Sequence, residues 1–260
     1  MIYDGKLIAG GIFTTADGGG AAHIAAWDGT SWTALGSGLD DPVYGLAVYD
    51  DELIAVGTFS YSGASEVRGI AAWDGSSWTQ VGALFETAPG SPTVYNDMLV
   101  AAGGFTYETV YSANRVAAWN GTTWIPLGTT ANGTIDAMFV YGSSLIAGGG
   151  FTEIGGTGTS NIAAWNGASW APLGDGVNSV VLDLIVFKNM LVAGGWFATA
   201  GGEDAAHIAT WDGSSWATLG TGMDGDVYAF AIYKNTLIAG GYFGMAGDVE
   251  ANYIAAWRPQ

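Results

Sequence analysis

Short apolar runs separated by polar turns make up the whole chain. In one stretch the runs cover residues 43–49, 53–59, 70–73 and 78–81. Aspartate and glycine occupy the turns between such runs, as in Asp74-Gly75. Runs of this length bounded by such turns predict antiparallel β-hairpins, because glycine accepts the positive φ angles that tight hairpin turns require. No stretch shows the helical period of about 3.6 residues, so the pattern predicts an all-β chain.

A tryptophan-containing motif recurs at a fixed spacing. The first copy reads Ile-Ala-Ala-Trp-Asp-Gly around Trp27, and each later copy follows after the same interval of 46 residues (27 to 73). The equivalent tryptophans are Trp73, Trp119, Trp165, Trp211 and Trp257. A fixed period of this length indicates a repeat fold. We predict a single domain over residues 1–260, with repeats at about 1–42, 43–88, 89–134, 135–180, 181–226 and 227–260.

Each motif is followed by a second tryptophan, except in the last copy. If residues 28–31 form the turn, Trp27 and Trp32 lie opposite each other on one face of a hairpin, where cross-strand aromatic pairs stabilise a sheet. The same spacing predicts pairs in the next four copies. They are Trp73/Trp78, Trp119/Trp124, Trp165/Trp170 and Trp211/Trp216.

The second apolar run of each repeat is apolar on both faces. Residues 7–13 read Leu-Ile-Ala-Gly-Gly-Ile-Phe, and similar runs occur at 145–151, 191–197 and 237–243. Such a strand must be covered on both sides, which a sheet stacked between copies of itself achieves. Four strands per repeat and six repeats therefore predict a six-bladed β-propeller with four-stranded antiparallel blades.

The two ends of the chain depart from the repeat. The first copy retains only three residues of its first strand, and the last copy reaches Gln260 without a fourth strand. We therefore predict a first blade with a shortened inner strand and a last blade that lacks its outer strand. In the third copy, Pro89 and Pro92 predict a first strand of reduced length. Two alternatives stay open: the chain is a fragment of a longer array, or another chain supplies the strand.

These motifs resemble the repeats of kelch and galactose-oxidase-like β-propellers. They are most similar to bacterial and phage propeller repeats that read LIAGGxF…IAAWDGxxWxxLG, and the resemblance covers the whole chain. The chain departs from typical kelch repeats at Ala26, where those carry tyrosine. The resemblance implies that the first strand of each blade is innermost. It also implies a non-catalytic scaffold that displays loops for recognition or forms part of a surface assembly.

The charge balance restricts the possible partners. The chain has 24 Asp and Glu against six Lys and Arg, a net charge of −18. Such a chain repels phosphate groups, so we expect no nucleic-acid partner. Its apolar runs are far shorter than the roughly 20 residues of a membrane-spanning helix, so we expect no membrane insertion. The chain contains no cysteine, and we recognise no signal peptide after Met1. The compartment stays open, with an extracellular, cell-surface or virion location favoured.

The long loops at residues 14–23 and 36–42, and their equivalents, are predicted to lie at one end of the blades. They vary between copies and carry most of the acidic residues, which indicates either a binding face for a basic partner or ordinary solvation. Calcium is the metal that such oxygen ligands suit, with Asp40-Asp41 and the pair Asp224 and Asp226 as candidates. No complete calcium-loop motif is present, and we predict no cofactor.

Two carboxylates and four aromatic residues are the candidate ligand-binding residues. Asp136 and Asp183 fall within the predicted first strands of copies four and five, where paired carboxylates could perform acid–base chemistry or be simply solvated. Aromatic side chains near the long loops could stack on sugars or pack within the propeller. They are Tyr107, Tyr111, Trp196 and Tyr242. His23 and His207 occupy equivalent repeat positions and are either metal ligands or plain loop histidines.

No catalytic triad or phosphate-binding loop can be recognised, so we predict that the protein is not an enzyme. Three functions are weighed: a recognition scaffold with a protein or glycan partner, a lectin with repeated inter-blade sites, and a polysaccharide-acting enzyme. We expect a monomer, with a strand-sharing oligomer as the alternative.

Overall fold

A computed structural model of the chain describes residues 1–83, 85, 89–103, 116–129 and 131–258. These residues form strands and turns, and no helix occurs among them, as the sequence predicted. None of the described residues therefore forms a helix of the length and hydrophobicity that a membrane crossing requires. The chain divides into two compact units, Met1–Leu127 and Gly128–Gln260. The single domain over 1–260 stays a prediction. Each unit contains three main sheets, which we call blades and number 1 to 6 in chain order.

The first unit contains blades 1 to 3. The strands of blade 1 are Ile2–Tyr3, Lys6–Gly10, Ile24–Trp27 and Trp32–Ala34. Those of blade 2 are Val43–Tyr49, Glu52–Gly57, Ile70–Trp73 and Trp78–Gln80. Those of blade 3 are Ser91–Tyr95, Met98–Ala102, Val116–Trp119 and Trp124–Pro126.

The second unit contains blades 4 to 6. The strands of blade 4 are Ile135–Tyr141, Ser144–Gly149, Ile162–Trp165 and Trp170–Pro172. Those of blade 5 are Val181–Phe187, Met190–Gly195, Ile208–Trp211 and Trp216–Thr218. Those of blade 6 are Asp226–Tyr233, Thr236–Tyr242 and Ile254–Trp257.

The fold class is the predicted one, a six-bladed β-propeller. In every blade, strands that follow each other in the chain pair antiparallel, so that strand order in the sheet equals strand order in the sequence. Over the described residues, five blades have four strands and blade 6 has three. The short first strand of blade 1 and the five-residue first strand of blade 3 are also confirmed.

In blades 2, 3, 5 and 6, the turn between the first two strands uses positive φ without glycine. In blade 2, Asp50 and Asp51 have φ angles of 51° and 62°. In blade 5, Lys188 and Asn189 take the same conformation, with φ angles of 50° and 62°. Two successive residues with positive φ are typical of the turn whose twist matches that of the flanking strands.

The long loop between the second and third strands contains a small hairpin, which the sequence did not predict. Each half of the hairpin is two residues long, as in Tyr61–Ser62 and Ser65–Glu66 of blade 2. The others are Thr15–Ala16/Gly19–Gly20, Glu153–Ile154/Thr157–Gly158, Thr199–Ala200/Glu203–Asp204 and Met245–Ala246/Val249–Glu250. The equivalent loop of blade 3 lies outside the described residues.

The hydrophobic cores lie between successive blades of a unit. In the first unit, Leu35 and Leu39 from the end of the first repeat pack in one cluster with Leu53 and Phe59 of the second repeat. In the second unit, Phe187 of blade 5 packs with Val227 and Leu237 of blade 6. Each blade is therefore covered by its neighbour, as expected for strands that are apolar on both faces.

The tryptophan pairs form as predicted. Trp73 and Trp78 are direct partners across the last two strands of blade 2, with ring centroids 5.4 Å apart. The second tryptophan also reaches the preceding blade, because Nε1 of Trp78 donates a hydrogen bond of 3.1 Å to the carbonyl oxygen of Leu35. Trp124 and Trp216 donate in the same way to Val81 and Leu173. This tryptophan thus joins two blades.

Candidate functional site

Asp183 lies in the first strand of blade 5 and binds two backbone amides. One carboxylate oxygen accepts the N–H of Leu184 at 2.8 Å, and the other accepts the N–H of Phe230 in blade 6 at 2.6 Å. Burial raises the pKa of Asp183 above its ordinary value, and these amide hydrogen bonds oppose that rise. Oδ2 therefore joins blade 5 to blade 6, and Oδ1 bonds within the first strand of blade 5.

Asp136 does not occupy the equivalent position. It is the extra residue of a β-bulge between Ile135 and Ala137, and the residue aligned with Asp183 is Ala137. The hydroxyl of Thr134 donates to Oδ2 of Asp136 at 3.1 Å. Burial also raises the pKa of Asp136, with a smaller opposing contribution from the Thr134 hydroxyl. The two carboxylates thus have different local environments, one bound by amides and one by a hydroxyl.

Substitution of Asp183 is expected to destabilise the second unit. Asp183→Ala leaves the N–H groups of Leu184 and Phe230 without their acceptor, at a cost of about 1–3 kcal/mol in unfolding free energy. Asp183→Asn keeps one acceptor oxygen and should cost less. Urea unfolding measures both, with Asp136→Ala as the control, since Asp136 accepts from a hydroxyl at the edge of a bulge. Equal losses for the two alanine variants would contradict the amide-binding role.

In blades 2, 4, 5 and 6, an Asp or Asn before the first strand fixes the neighbouring loop hairpin. Oδ1 of Asp40 accepts the N–H groups of Ser60 and Tyr61 at 2.7 and 2.9 Å. The N–H of Asp40 in turn donates to the carbonyl of Tyr61 at 3.0 Å. Equivalent residues make the same three bonds in blades 4 to 6. They are Asn132, Asn178 and Asp224. We call these four residues the loop clamps; they bring the two long loops together at one end of the blade, as predicted.

The loop clamps account for two of the acidic residues considered as calcium ligands. Asp40 and Asp224 bind amides, and the amide of Met245 holds the pKa of Asp224 below its ordinary value, with a further contribution from His207. Neutral asparagine makes the same bonds in blades 4 and 5, so the position does not require a charge. Across the described residues, no three His, Asp or Glu side chains form a group that could hold a metal ion.

A second set of Asp and Asn side chains caps the turn between the paired tryptophans. Oδ1 of Asp74 accepts the N–H groups of Ser76 and Ser77 at 2.7 and 2.8 Å. Hydrogen bonds from Ser76 and Ser77 lower the pKa of Asp74 to about 2, and equivalent bonds lower that of Asp212 to about 2. Asn166 makes the same two amide bonds in blade 4.

These turns are expected to weaken in acid. A carboxyl group whose pKa is lower in the folded chain stabilises the fold above its ordinary pKa of 3.8, and this contribution is lost as the pH falls toward 2. Oδ1 of Asp28 accepts the N–H groups of Thr30 and Ser31 in the same way. A variant with Asp28, Asp74 and Asp212 all changed to Asn should be less stable than the parent at pH 7 and should lose less of its stability between pH 4 and pH 2. Thermal unfolding across this range tests the prediction. Asn substitutions at the exposed Asp17 and Asp204 provide controls for the loss of surface charge, and an unchanged acid profile of the triple variant would contradict the prediction.

His23 and His207 occupy a position with left-handed backbone conformation. Their φ angles are 62° and 68°, and the equivalent Gly69, Asn161 and Tyr253 also have positive φ. Nδ1 of each histidine lies 3.2 or 3.3 Å from the carbonyl oxygen of a glycine at the end of the second strand of its own blade, Gly11 or Gly195. His207 also lies 3.4 Å from a carboxylate oxygen of Asp226. The shared feature of this position is therefore the backbone turn before the third strand.

Two of the four predicted aromatic residues are exposed near the loops. Trp196 is 49% exposed and Tyr242 is 69% exposed. Tyr242 also stacks at a tilt on Tyr253, with ring centroids 5.9 Å apart. Tyr107 and Tyr111 lie outside the described residues. The Tyr242–Tyr253 contact was not predicted, because Tyr253 lies in the turn before the third strand, 11 residues after Tyr242.

No family model matches the chain, and no curated protein matches it. Several solved structures are similar. The computationally designed Ika8 protein is 16% identical with a TM-score of 0.60, covering 99% of this chain and 69% of that one. The extracellular domain of the putative one component system BT4673 from B. thetaiotaomicron is 12% identical with a TM-score of 0.56, covering 92% of this chain. This chain spans 32% of that domain's length. At these identities the likeness supports the fold alone.

Proposed function

We propose that this protein is a non-catalytic, kelch-like recognition scaffold whose loop hairpins bind a partner. One observation carries the proposal: the loop clamps attach hairpins of different sequence to the blades by the same set of hydrogen bonds. A rigid scaffold that carries variable loops is the usual arrangement of a binding surface.

The hairpins keep a constant length while their side chains change. Each occupies six residues, and the sequences at 15–20, 61–66, 153–158, 199–204 and 245–250 differ at most positions. Because the backbone is held at its base, substitutions at the tips alter the presented chemistry without altering the fold.

The exposed hairpin carboxylates favour a partner with a basic surface. Glu203 and Asp204 are exposed in blade 5. Glu66 of blade 2 and Glu250 of blade 6 occupy the position equivalent to Asp204 and are also exposed. Complementary charge accelerates association and favours one class of partner over others. The role of Asp183 in binding two amides further supports a non-catalytic function.

A basic-peptide array tests this function directly. We expect the chain to bind basic peptides with an affinity that falls as salt rises, and a variant with Glu203→Gln and Asp204→Asn to bind more weakly with unchanged thermal stability. Asn178→Ala, which loosens the same hairpin but keeps its acidic side chains, separates rigid display from charge alone. Absence of peptide binding, or a peptide affinity that the hairpin substitutions leave unchanged, would reject the proposal.

A glycan-binding function is the second candidate, favoured by the exposed aromatic residues. Trp196 and the Tyr242–Tyr253 pair offer apolar faces on which a sugar could stack. On a glycan array, Trp196→Ala and Tyr242→Ala should abolish binding without loss of stability, since both side chains are exposed. Absence of binding across a broad array would exclude the lectin.

A further inference from the structure

Trp196 of blade 5 and Asp226 of blade 6 lie beside each other in the second unit. Their relation follows from the preceding repeat, in which Gly150 holds the position of Trp196 and Val180 holds that of Asp226. A Cβ atom at Gly150 would lie 3.5 Å from Cγ2 of Val180 in the next blade. The side chain of Trp196 therefore begins next to the side chain of Asp226, and it is 49% exposed.

A second aromatic side chain, that of Tyr242, also lies next to Asp226. The two residues are direct partners in the first two strands of blade 6. The Cβ atoms of such partners are roughly 4.5–5.5 Å apart on one face of the sheet. Tyr242 is exposed and is supported from one side by its contact with Tyr253. The carboxylate of Asp226 is thus accompanied by one exposed aromatic side chain from each of two blades.

The carboxylate of Asp226 is open to a ligand. Nδ1 of His207 lies 3.4 Å from Oδ1 of Asp226 and 3.3 Å from the carbonyl oxygen of Gly195. Within the described part of the chain, no group donates a hydrogen bond to the other oxygen, Oδ2, and the side chain is 33% exposed. Asp224, two residues earlier, differs because its Oδ1 already accepts two amides of the loop hairpin.

These groups fit a guanidinium ion. A carboxylate only accepts hydrogen bonds, and the planar fork of a guanidinium donates to both of its oxygens at once. A guanidinium also stacks on aromatic faces, and tryptophan is the ring that attracts cations most strongly. The net charge of −18 attracts cations to the chain as a whole. The ammonium group of lysine can pair with the carboxylate but has no flat face to stack on the ring.

The combination of an aromatic ring with a carboxylate occurs at one pair of these positions in the sequence. The four earlier pairs contain neither an aromatic residue nor an acid. They are Ile12/Pro42, Thr58/Ala88, Gly104/Thr134 and Gly150/Val180. The arrangement of Trp196 and Asp226 is therefore not a requirement of the repeat.

We propose that Trp196, Asp226 and Tyr242 bind an arginine side chain of the partner, with its guanidinium paired to the Asp226 carboxylate and stacked on Trp196. We call these three residues the arginine site. The inference rests on the proposed function, a scaffold for a basic partner, and names the side chain that the partner contributes. The hairpin carboxylates attract either basic residue, whereas the arginine site selects arginine over lysine.

Two labelled peptides of equal charge test the proposal. They are Gly-Arg-Gly-Arg-Gly-Arg-Gly and the same sequence with lysine in place of arginine. Each is titrated with the full chain by fluorescence anisotropy at about pH 8, where an ordinary histidine side chain is uncharged and does not compete for a carboxylate. We expect the arginine peptide to bind at least about fivefold more tightly than the lysine peptide, because only its side chains stack and pair at the same time.

Variants of the chain locate the site. Asp226→Asn and Trp196→Ala should each remove most of the preference for the arginine peptide, whereas Trp196→Phe keeps a ring and should retain much of it. The controls are Asp17→Asn, at an exposed carboxylate of blade 1, and Tyr61→Ala, at an exposed ring of blade 2. Both controls should leave the preference unchanged. Thermal unfolding of each variant verifies that it is folded.

The outcomes separate this inference from the proposed function. Absence of binding by both peptides would reject the proposed function and the arginine site together. Binding that the hairpin substitutions weaken, but that shows the same preference in the Asp226→Asn and Trp196→Ala variants as in the parent, would reject the arginine site alone. Equal affinity for the two peptides, with glycan binding that Asp226→Asn abolishes, would assign these residues to a sugar and likewise reject the inference.

Discussion

Gly241→Ala is expected to lower the free energy of unfolding by about 3 kcal/mol or more, at the upper end of the cost of overpacking a core. A Cβ atom at this position would lie 2.0 Å from the carbonyl oxygen of Asp226 and 2.9 Å from Cα of Val227. Both contacts are with the backbone of the first strand, which is held in register against the second strand. No side-chain rotation can relieve them, so the strands must separate.

The neighbouring glycine provides the matched control. A Cβ atom at Gly240 would meet only the carbonyl oxygen of Tyr253, at 3.9 Å, which is ordinary contact. Gly240→Ala should therefore be neutral or stabilise by up to about 1 kcal/mol, because alanine loses less conformational entropy on folding. Urea unfolding of the two variants makes the comparison. Similar losses of stability in both would show that backbone contact is not the reason for glycine at position 241.

The same contact explains the Gly-Gly motif in other blades. At Gly149 and Gly195, and at Gly57 of the Val-Gly pair of blade 2, an added Cβ would lie 2.0 to 2.2 Å from the carbonyl oxygen of the residue just before the first strand of the same blade. The glycine at this position thus permits the first strand to approach the second strand closely.

Trp78→Ala is expected to cost about 3–5 kcal/mol in unfolding free energy. The side chain is buried, pairs with Trp73 and donates to the carbonyl of Leu35, so its removal affects two blades at once. Trp78→Phe keeps an aromatic ring but lacks the N–H, and should still cost on the order of 1 kcal/mol for the lost hydrogen bond.

Trp32→Ala is the control for this prediction. Trp32 has the same position in blade 1 and the same pairing with Trp27, but its side chain is partly exposed. Its removal should therefore destabilise the chain by less than the removal of Trp78. Equal losses in chemical unfolding would mean that packing against the preceding blade contributes nothing to the stability of the pair.

The repeat period was sufficient to predict the fold class. The period aligned the apolar runs, and the pairing of Trp73 with Trp78 followed from the length of the turn between them. The three strands of blade 6 among the described residues were predicted in the same way, from the length of the last repeat. These features depend on local spacing, which a sequence displays directly.

The candidate site was harder to predict because it depends on contacts between distant segments. The sequence predicted Asp183 as a candidate ligand-binding carboxylate, but its Oδ2 accepts the N–H of Phe230, 47 residues later in the chain. The loop clamps were not predicted because their hydrogen-bond partners lie 20 and 21 residues away in the sequence. The two-residue strands of the loop hairpins are too short to show an alternating pattern. The positive φ at Lys188 could not be predicted either, because the turn and not the residue type sets it.

The central claim is that the fourth strand stabilises blades 2, 3 and 5 through a tryptophan that docks on the preceding blade of the same unit. The most direct measurement is the thermal unfolding midpoint of a chain in which the sequence of residues 212–220 replaces residues 258–260 after Trp257. Burial of one tryptophan contributes about 3 kcal/mol, and at about 2–4 °C per kcal/mol for a chain of this size the midpoint should rise by about 6 °C or more. The same extension with its tryptophan changed to alanine should give a much smaller rise. An unchanged or lower midpoint for the tryptophan-containing extension would contradict the claim.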